Sequence, residues 1–314
     1  MKRYIIERLL QLIPILLGVT FLSFSMMRLV GSDVITQKYN NTGIVVSKEV
    51  LDIERSRLGL DKPFLTQYIE WLKNVIQGDM GNSFVNDRNV FDSFKEKLPA
   101  TLLLTSTSIL LTIIISIPLG IIAAINHNNI IDYLIRGLSF VGNSMPNFFV
   151  SLVLMYFISI RLGWLPVIST GITAKSVILP AMTLAIAMSS KYLRQIRTTV
   201  LDELGKEYVL GEKSRGIPFY RTLWKSVLRA SLVTIITLLA LSIGSLLGGT
   251  AIVESIFMWD GVGKLAVDAI DMRDYPMIQA YVMWMAIIYV AVNLITDVLY
   301  SVLDPRIRLA GQDA

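Results

Sequence analysis

Cysteine is absent from this 314-residue chain, and histidine occurs once, as His127. The first absence removes disulfides, thiolate metal sites and cysteine nucleophiles together. The second rules out a multi-histidine metal cluster, and the lack of a serine–histidine arrangement argues against a membrane-embedded enzyme. Neither catalytic residues nor a metal site are expected. Charge is the third scarcity: 17% of residues are charged, against roughly 25% in soluble domains. With 54% hydrophobic residues, this is the composition of a protein bathed in lipid. The formal charge of +5 calls for no nucleic acid, because membrane proteins gather Lys and Arg on the cytoplasmic side. No cleavable leader is expected. Lys2, Arg3 and Arg8 precede an apolar run too long for a signal sequence, with no A-x-A site after it.

What is present is length of apolar sequence. A hydrocarbon core of ~30 Å needs about 20 helical residues, and six segments come forward: 9–30, 100–125, 138–160, 177–190, 230–253 and 277–303. The fourth is short and is expected to continue helically through 191–200. Pro14, Pro118 and Pro146 fall inside spans, where neighbouring helices can satisfy the freed carbonyls. The fold class is therefore an all-α polytopic membrane protein with six transmembrane helices. Cations orient it. Alternate short loops carry Lys2, Arg3, Arg8, Arg136, a dense run from Lys191 to Arg229, then Arg306 and Arg308, while the opposite side carries Arg161, Lys175, Lys264 and Arg273. That bias puts both termini in the cytoplasm.

The chain divides into residues 1–30 with the first span, an extracytoplasmic helical insert at 31–98, a core at 99–303 and a tail at 304–314. In the insert, 47–58 reads as a helix capped by Ser47. Pro63 opens a second, with Phe64, Tyr68, Trp71, Leu72 and Val75 on one face.

Residues 200–230 form the most unusual loop. A helical pattern runs from Leu204 to Arg215 and stops at Gly216-Ile217-Pro218, where glycine suits a left-handed C′ position and proline cannot continue the helix. Beyond it Phe219, Leu223 and Val227 recur every four residues, as do Arg221, Lys225 and Arg229. The two ladders predict an amphipathic helix with a basic edge, so the loop is a helix–turn–helix elbow. Attraction to anionic lipid headgroups needs no turn. A turn presents a compact knob to a protein groove.

This elbow, the six spans and the closing Leu303-Asp304-Pro305-Arg306-Ile307-Arg308 resemble permease subunits of ABC importers for dipeptides, oligopeptides and nickel. Gly59-Leu60-Asp61-Lys62-Pro63, Leu98-Pro99-Ala100-Thr101, Ser144-Met145-Pro146-Asn147-Phe148 and Asp274-Tyr275-Pro276-Met277-Ile278-Gln279 extend the resemblance over essentially the whole chain. The resemblance implies a type I importer permease fold, a multi-pass place in the bacterial inner membrane and no enzyme activity of its own. It implies a sibling permease, two cytosolic ATPases that bind ATP and Mg, and an extracytoplasmic binding protein, with membrane lipid as surroundings. The family's docking motif E-A-A-x-x-x-G falls on residues 210–216. Leu210 replaces the glutamate, Gly211 and Glu212 replace the alanines, and Gly216 is kept. The residues expected to couple to an ATPase are Glu207, Tyr208, Gly211, Glu212, Arg215, Gly216 and Arg229. The cargo is expected to be nickel or a nickel chelate, with peptides as the alternative, and an ion-coupled secondary transporter as the rival class.

Several other features are weighed and set lower. Gly261-Val262-Gly263-Lys264 is no phosphate loop, since Met258 stands where glycine is needed and Leu265 follows the lysine. His127 is expected to be solvated or to touch headgroups. Methionines such as Met145, Met182 and Met188 read as apolar filler. Asp297 in the last span calls for a buried partner, with Lys191 and Arg194 as candidates for a structural ion pair beside Arg197. Gly244 and Gly248 form a small-residue face for close helix contact. With Asn143, Ser144, Met145 and Asn147 around Pro146, they are the candidates for lining a pathway.

Overall fold

The computed structural model describes residues 2–29, 35–36, 39, 46–169 and 171–303. Side-chain surroundings are described from residue 10, apart from 233, 237–245, 247–249 and 297–303. In chain order the helices are α1 (Lys2–Leu29), α2 (Lys48–Arg57), α3 (Phe64–Ile76), α4 (Val90–Ile125), α5 (Ile130–Ser144) and α6 (Asn147–Leu154). A π-helical turn, π1 (Met155–Arg161), extends α6. There follow α7 (Ala174–Leu204), α8 (Glu207–Ser214), α9 (Phe219–Thr222), a second π turn, π2 (Leu223–Val227), α10 (Leu228–Ile256), α11 (Val262–Asp271) and α12 (Tyr275–Leu303). Among the described residues the single β contact is an antiparallel bridge between Asn82 and Asn89.

The chain separates into two compact units, one of Met1–Thr101 with Asp260–Ala291 and one of Leu102–Trp259 with Val292–Ala314. In the first, the aromatic face expected on α3 meets α1. Phe21 and Phe24 stand edge-on to Phe64 and Tyr68, with ring centroids 5.3 to 5.8 Å apart, and Tyr68 Oη shares a 3.1 Å hydrogen bond with Thr20 Oγ1. Such perpendicular pairs set the positive ring edge on the negative face. Ser47 does occupy the N-cap of α2, but its side chain makes no capping hydrogen bond. A second apolar cluster gathers Met80, Val90, Met277 and Met283, with Trp284 stacked on Phe94 at 5.5 Å. Gly261 is the N-cap of α11, whose Val262 N–H donates to Thr101 Oγ1 at 2.8 Å. Lys264 pairs with Asp268 at 2.5 Å, one turn along, so the glycine–lysine run is an ordinary helix start.

In the second unit the expected third span is broken near its middle. Residues 138–160 are two helices, α5 and the α6–π1 pair, bent by 106° at Met145 and Pro146. Proline pushes the residue before it out of the helical region, and Met145 lies at ψ 130°. Pro146 also has no N–H to bond back into α5. Its carbonyl instead accepts from Phe149 N–H and Val150 N–H, restarting the helix in a new direction.

The fourth span does continue as expected: α7 is unbroken for 31 residues. A capping box opens it, with Thr173 Oγ1 accepting from Ser176 N–H at 3.2 Å and Ser176 Oγ from Thr173 N–H at 3.0 Å. α4 crosses α7 closely at Gly120. A Cβ there would stand 2.7 Å from Ile196 Cγ2 and 3.2 Å from the Leu193 carbonyl, so only glycine fits the approach.

Among the described residues four helices are long and apolar enough to cross a membrane, within α1, α4, α7 and α12, or five if the bent pair counts as one span. The expected segment 230–253 lies inside the 29-residue α10, where many side chains are outside the described residues.

Candidate functional site

The elbow begins where α7 outlasts its apolar stretch. At 1.5 Å per residue its 31 residues run about 46 Å, well beyond a ~30 Å hydrocarbon core. The helical pattern expected from Leu204 to Arg215 is not continuous. α7 ends at Leu204, Gly205 and Lys206 make a turn, and α8 starts at Glu207, whose carboxylate sits in the first turn where the helix dipole favours it.

The stop at Gly216 is as expected. Gly216 has φ +73°, its N–H donates to Lys213 O at 3.0 Å, and Ile217 N–H donates to Glu212 O at 3.1 Å. That pair of bonds is the Schellman closure, which satisfies orphan carbonyls of α8 and needs a left-handed C′ residue. Pro218 then sits at the N-cap of α9, its carbonyl accepting from Arg221 and Thr222 N–H.

The second arm departs from a plain four-residue ladder. Leu223 and Val227 are buried as expected, but Phe219 is 53% exposed. Burial falls on Thr222 with Leu223 and again on Val227 with Leu228, five residues on. Five is the step of the π turn that π2 supplies. Leu223, Val227 and Leu228 pack with Tyr192, Ile196 and Val200 of α7 and with Val209 of α8. The elbow is thereby fixed to the long helix that carries it. Arg221, Lys225 and Arg229 remain exposed, as the basic edge requires.

Two carboxylates brace this arrangement. Ser226 Oγ donates to Glu212 Oε1 at 2.7 Å. Hydrogen bonds from Thr222 and Ser226 hold the Glu212 carboxyl below its usual range, with Arg215 and Arg221 adding positive charge. Glu212 thus ties the two arms together. Tyr208 Oη donates to Glu203 Oε2 at 3.1 Å. Burial first, then that bond and the nearby Glu203 and Glu212 charges, push the phenol up to about 12. Lys206 Nζ completes the set, 2.5 Å from Glu203 Oε1.

Of the coupling candidates, Glu207, Tyr208, Gly211, Arg215, Gly216 and Arg229 are all exposed on the elbow. The exposed apolar side chains among them were not singled out from sequence: Leu210 is 66% exposed, Tyr220 71% and Trp224 55%. The signal was available, since Tyr220 and Trp224 are four apart in a cationic stretch, and their rings lie 6.1 Å apart.

At the bend, Asn143, Ser144 and Met145 are exposed and Asn147 is half-buried. Ser144 Oγ donates to Phe140 O at 2.8 Å, so it serves its own helix. Gly244 and Gly248 lie on α10 and Asp297 on α12, all outside the residues with described side-chain surroundings. Lys191 and Arg194 form no ion pair among the described residues.

The buried pair involves another cation. Arg197 meets Asp132 of α5 in a fork, Nε to Oδ1 at 2.6 Å and Nη2 to Oδ2 at 2.7 Å, and the aspartate side chain is fully buried. Asn128 N–H adds a 3.0 Å bond to Oδ2. His127 is no free loop histidine: its Nδ1 lies 2.9 Å from Arg197 Nη2 and accepts from it, since a guanidinium only donates.

Residues 116–309 match the family model described as "Binding-protein-dependent transport system inner membrane component", and residues 1–105 match the corresponding N-terminal model. The oligopeptide transport system permease protein AppB of Bacillus subtilis is 39% identical over 98% of this chain and 100% of its own length. The glutathione transport system permease protein GsiC of Escherichia coli K12 is 35% identical over 98% of this chain and 99% of its own. Among solved structures, a chain of the inward-facing MetNI methionine ABC transporter aligns with a TM-score of 0.58 at 14% identity. The alignment covers 68% of this chain and 96% of that one, so the likeness is one of fold.

Proposed function

This chain belongs to the family of binding-protein-dependent transport system inner membrane components, and we propose on that premise that it forms half of the pathway of an ATP-driven importer for short peptides. As a family member it is a permease component of an ABC importer, a multi-pass bacterial inner-membrane protein and not an enzyme. In the proposed assembly a sibling permease completes the pathway and two cytosolic ATPases bind nucleotide and Mg. An extracytoplasmic binding protein delivers cargo. With the six spans and cytoplasmic termini expected from sequence, the elbow would lie on the ATPase side.

The observation that carries the reading is the elbow itself. It is a Schellman-closed turn at Gly216, braced across its arms by Glu212 and Ser226 and packed onto α7. Such a knob can take a push from an ATPase and pass it along α7 as a rigid lever. Glu207, Gly211, Arg215 and Arg229 with exposed Leu210, Tyr220 and Trp224 would form its docking surface. The bend at Pro146, with Asn143, Ser144, Met145 and Asn147, is the element proposed to change with access, and Gly244 and Gly248 the close contact towards the sibling.

Peptide is favoured over the nickel expected from sequence. The curated relatives are named for oligopeptide and glutathione transport, and glutathione is itself a peptide. Nickel or a nickel chelate is the second reading, resting on the short runs that resemble nickel permeases. Uptake into vesicles holding the full importer tests both. A labelled short peptide should accumulate when ATP is supplied on the ATPase side, whether or not ion gradients are collapsed. ATP-driven uptake of nickel without peptide would reverse the cargo assignment, and gradient-driven uptake without ATP would replace the class.

A further inference from the structure

The first unit holds a cavity of about 380 Å³ beside the end of α1, bounded by the turn after α2, the 80–84 stretch and the start of α12. Hydrogen bonds fix its walls. The Gln67 amide of α3 donates to Lys62 O at 2.7 Å and Leu60 O at 3.2 Å, holding one rim. Asp274 accepts from Ser83 Oγ at 2.5 Å and from Phe84 N–H at 3.1 Å, holding the other. Two runs that carry the family resemblance, Gly59-Leu60-Asp61-Lys62-Pro63 and Asp274-Tyr275-Pro276, therefore meet here, and the elbow uses neither.

Arg28 gives the cavity its chemistry. Its guanidinium lies 5.0 Å from the Phe24 ring centroid and 5.3 Å from that of Tyr275, and its Nη2 donates to Gln67 Oε1. Its Nε is buried and has no acceptor among the described residues. Among the described residues no carboxylate pairs with it, whereas Arg57 on the same wall pairs with Glu54 at 3.2 Å. A half-buried cation held by two rings and a neutral amide, with no carboxylate partner among the described residues, is arranged for an incoming anion at its accessible edge. The wall also carries Asp79, Asp87 and Glu70, the last paired with Lys62 at 2.7 Å. These carboxylates repel a simple anion, but a zwitterion satisfies both signs. The volume lies at the small end of ligand sites, fitting a short peptide rather than a folded domain.

We propose that this cavity is a subsite for a short zwitterionic peptide, whose free carboxylate is received by Arg28 between Phe24 and Tyr275. The inference rests on the peptide reading above and adds to it a place and a chemical preference for the C-terminus.

The purified full chain in lipid nanodiscs tests it, titrated with trialanine, trialanine amide and N-acetyl-trialanine. The readout is the fluorescence of Trp71, which lines the cavity, with Trp71→Phe as the control for the other tryptophans. Trialanine should give a saturable change and the amide should bind about tenfold more weakly, the scale of one charge-assisted hydrogen bond. The acetylated peptide should also bind more weakly than trialanine. Arg28→Gln should weaken trialanine by about the same factor and leave the amide unchanged, while Arg28→Lys recovers part of the loss. Equal affinity for trialanine and its amide overturns the proposal, as does the absence of a saturable change in the wild-type chain. So does loss of binding-protein association in Arg28→Gln with peptide affinity intact, which would make the cavity a docking surface. If the intact importer takes up peptide and tolerates Arg28→Gln, the cavity inference alone fails. If it takes up no peptide, the cargo reading fails instead.

Discussion

Asp132 and Arg197 are the residues on which the packing of α5 against α7 depends most sharply. A fully buried carboxylate with forked bonds to a guanidinium is costly to form and costlier to break, because removing one partner strands the other charge. Asp132→Ala should lower the unfolding free energy by about 3 kcal/mol, read as a fall in the thermal midpoint of the purified chain. A midpoint within error of wild type would remove the pair from the account. The elbow's Glu212 makes a pH prediction. Its carboxyl is held below the usual range by Thr222 and Ser226, so the ionised form stabilises the elbow above that range. This contribution is lost as pH falls through the lowered value. Limited proteolysis between α8 and α9 should rise at acid pH, and Ser226→Ala should move the rise to higher pH. The residue scale is also where sequence was least legible. Arg197 stood out only as one cation among several, and Asp132 gave no sign of burial because α5 begins beside a loop. Their meeting, 65 residues apart in the chain, is a tertiary fact that no local pattern encodes.

At the scale of elements, the turn at Gly216 was legible because its chemistry is local. A glycine before a proline after a helical run dictates a left-handed stop wherever it occurs. The bend at Pro146 was half legible. Proline announced a break, but not that the restarted helix would leave at 106°, which neighbouring helices decide. π2 was not legible at all, since its five-residue step shows only in which side chains are buried. Gly216 separates local strain from docking. A Cβ placed there meets nothing within 4 Å, so Gly216→Ala costs only left-handed backbone strain, about 1–2 kcal/mol, and should leave transport largely intact. Gly216→Trp adds bulk that no atom of this chain opposes. If it abolishes ATP-driven uptake while the alanine variant and the yield of inserted protein are spared, the block lies with a partner. Equal effects from both variants would assign the residue to folding alone.

The whole molecule joins apolar spans to one polar knob, and composition made that much plain: few charges, long apolar runs and one dense basic loop. Cargo was not legible in the same way. The run Ser144-Met145-Pro146-Asn147-Phe148 serves the bend, so it marks the shared fold rather than what is carried. The central claim is that ATP-driven partners grip the elbow, and the absence of native cysteine allows a direct measurement. A single cysteine at exposed Arg215, in the otherwise intact importer, should cross-link to an ATPase subunit through a short bifunctional reagent. The yield should change when ATP replaces ADP. Cross-links to lipid or to the permeases alone, whatever the nucleotide, would contradict the account.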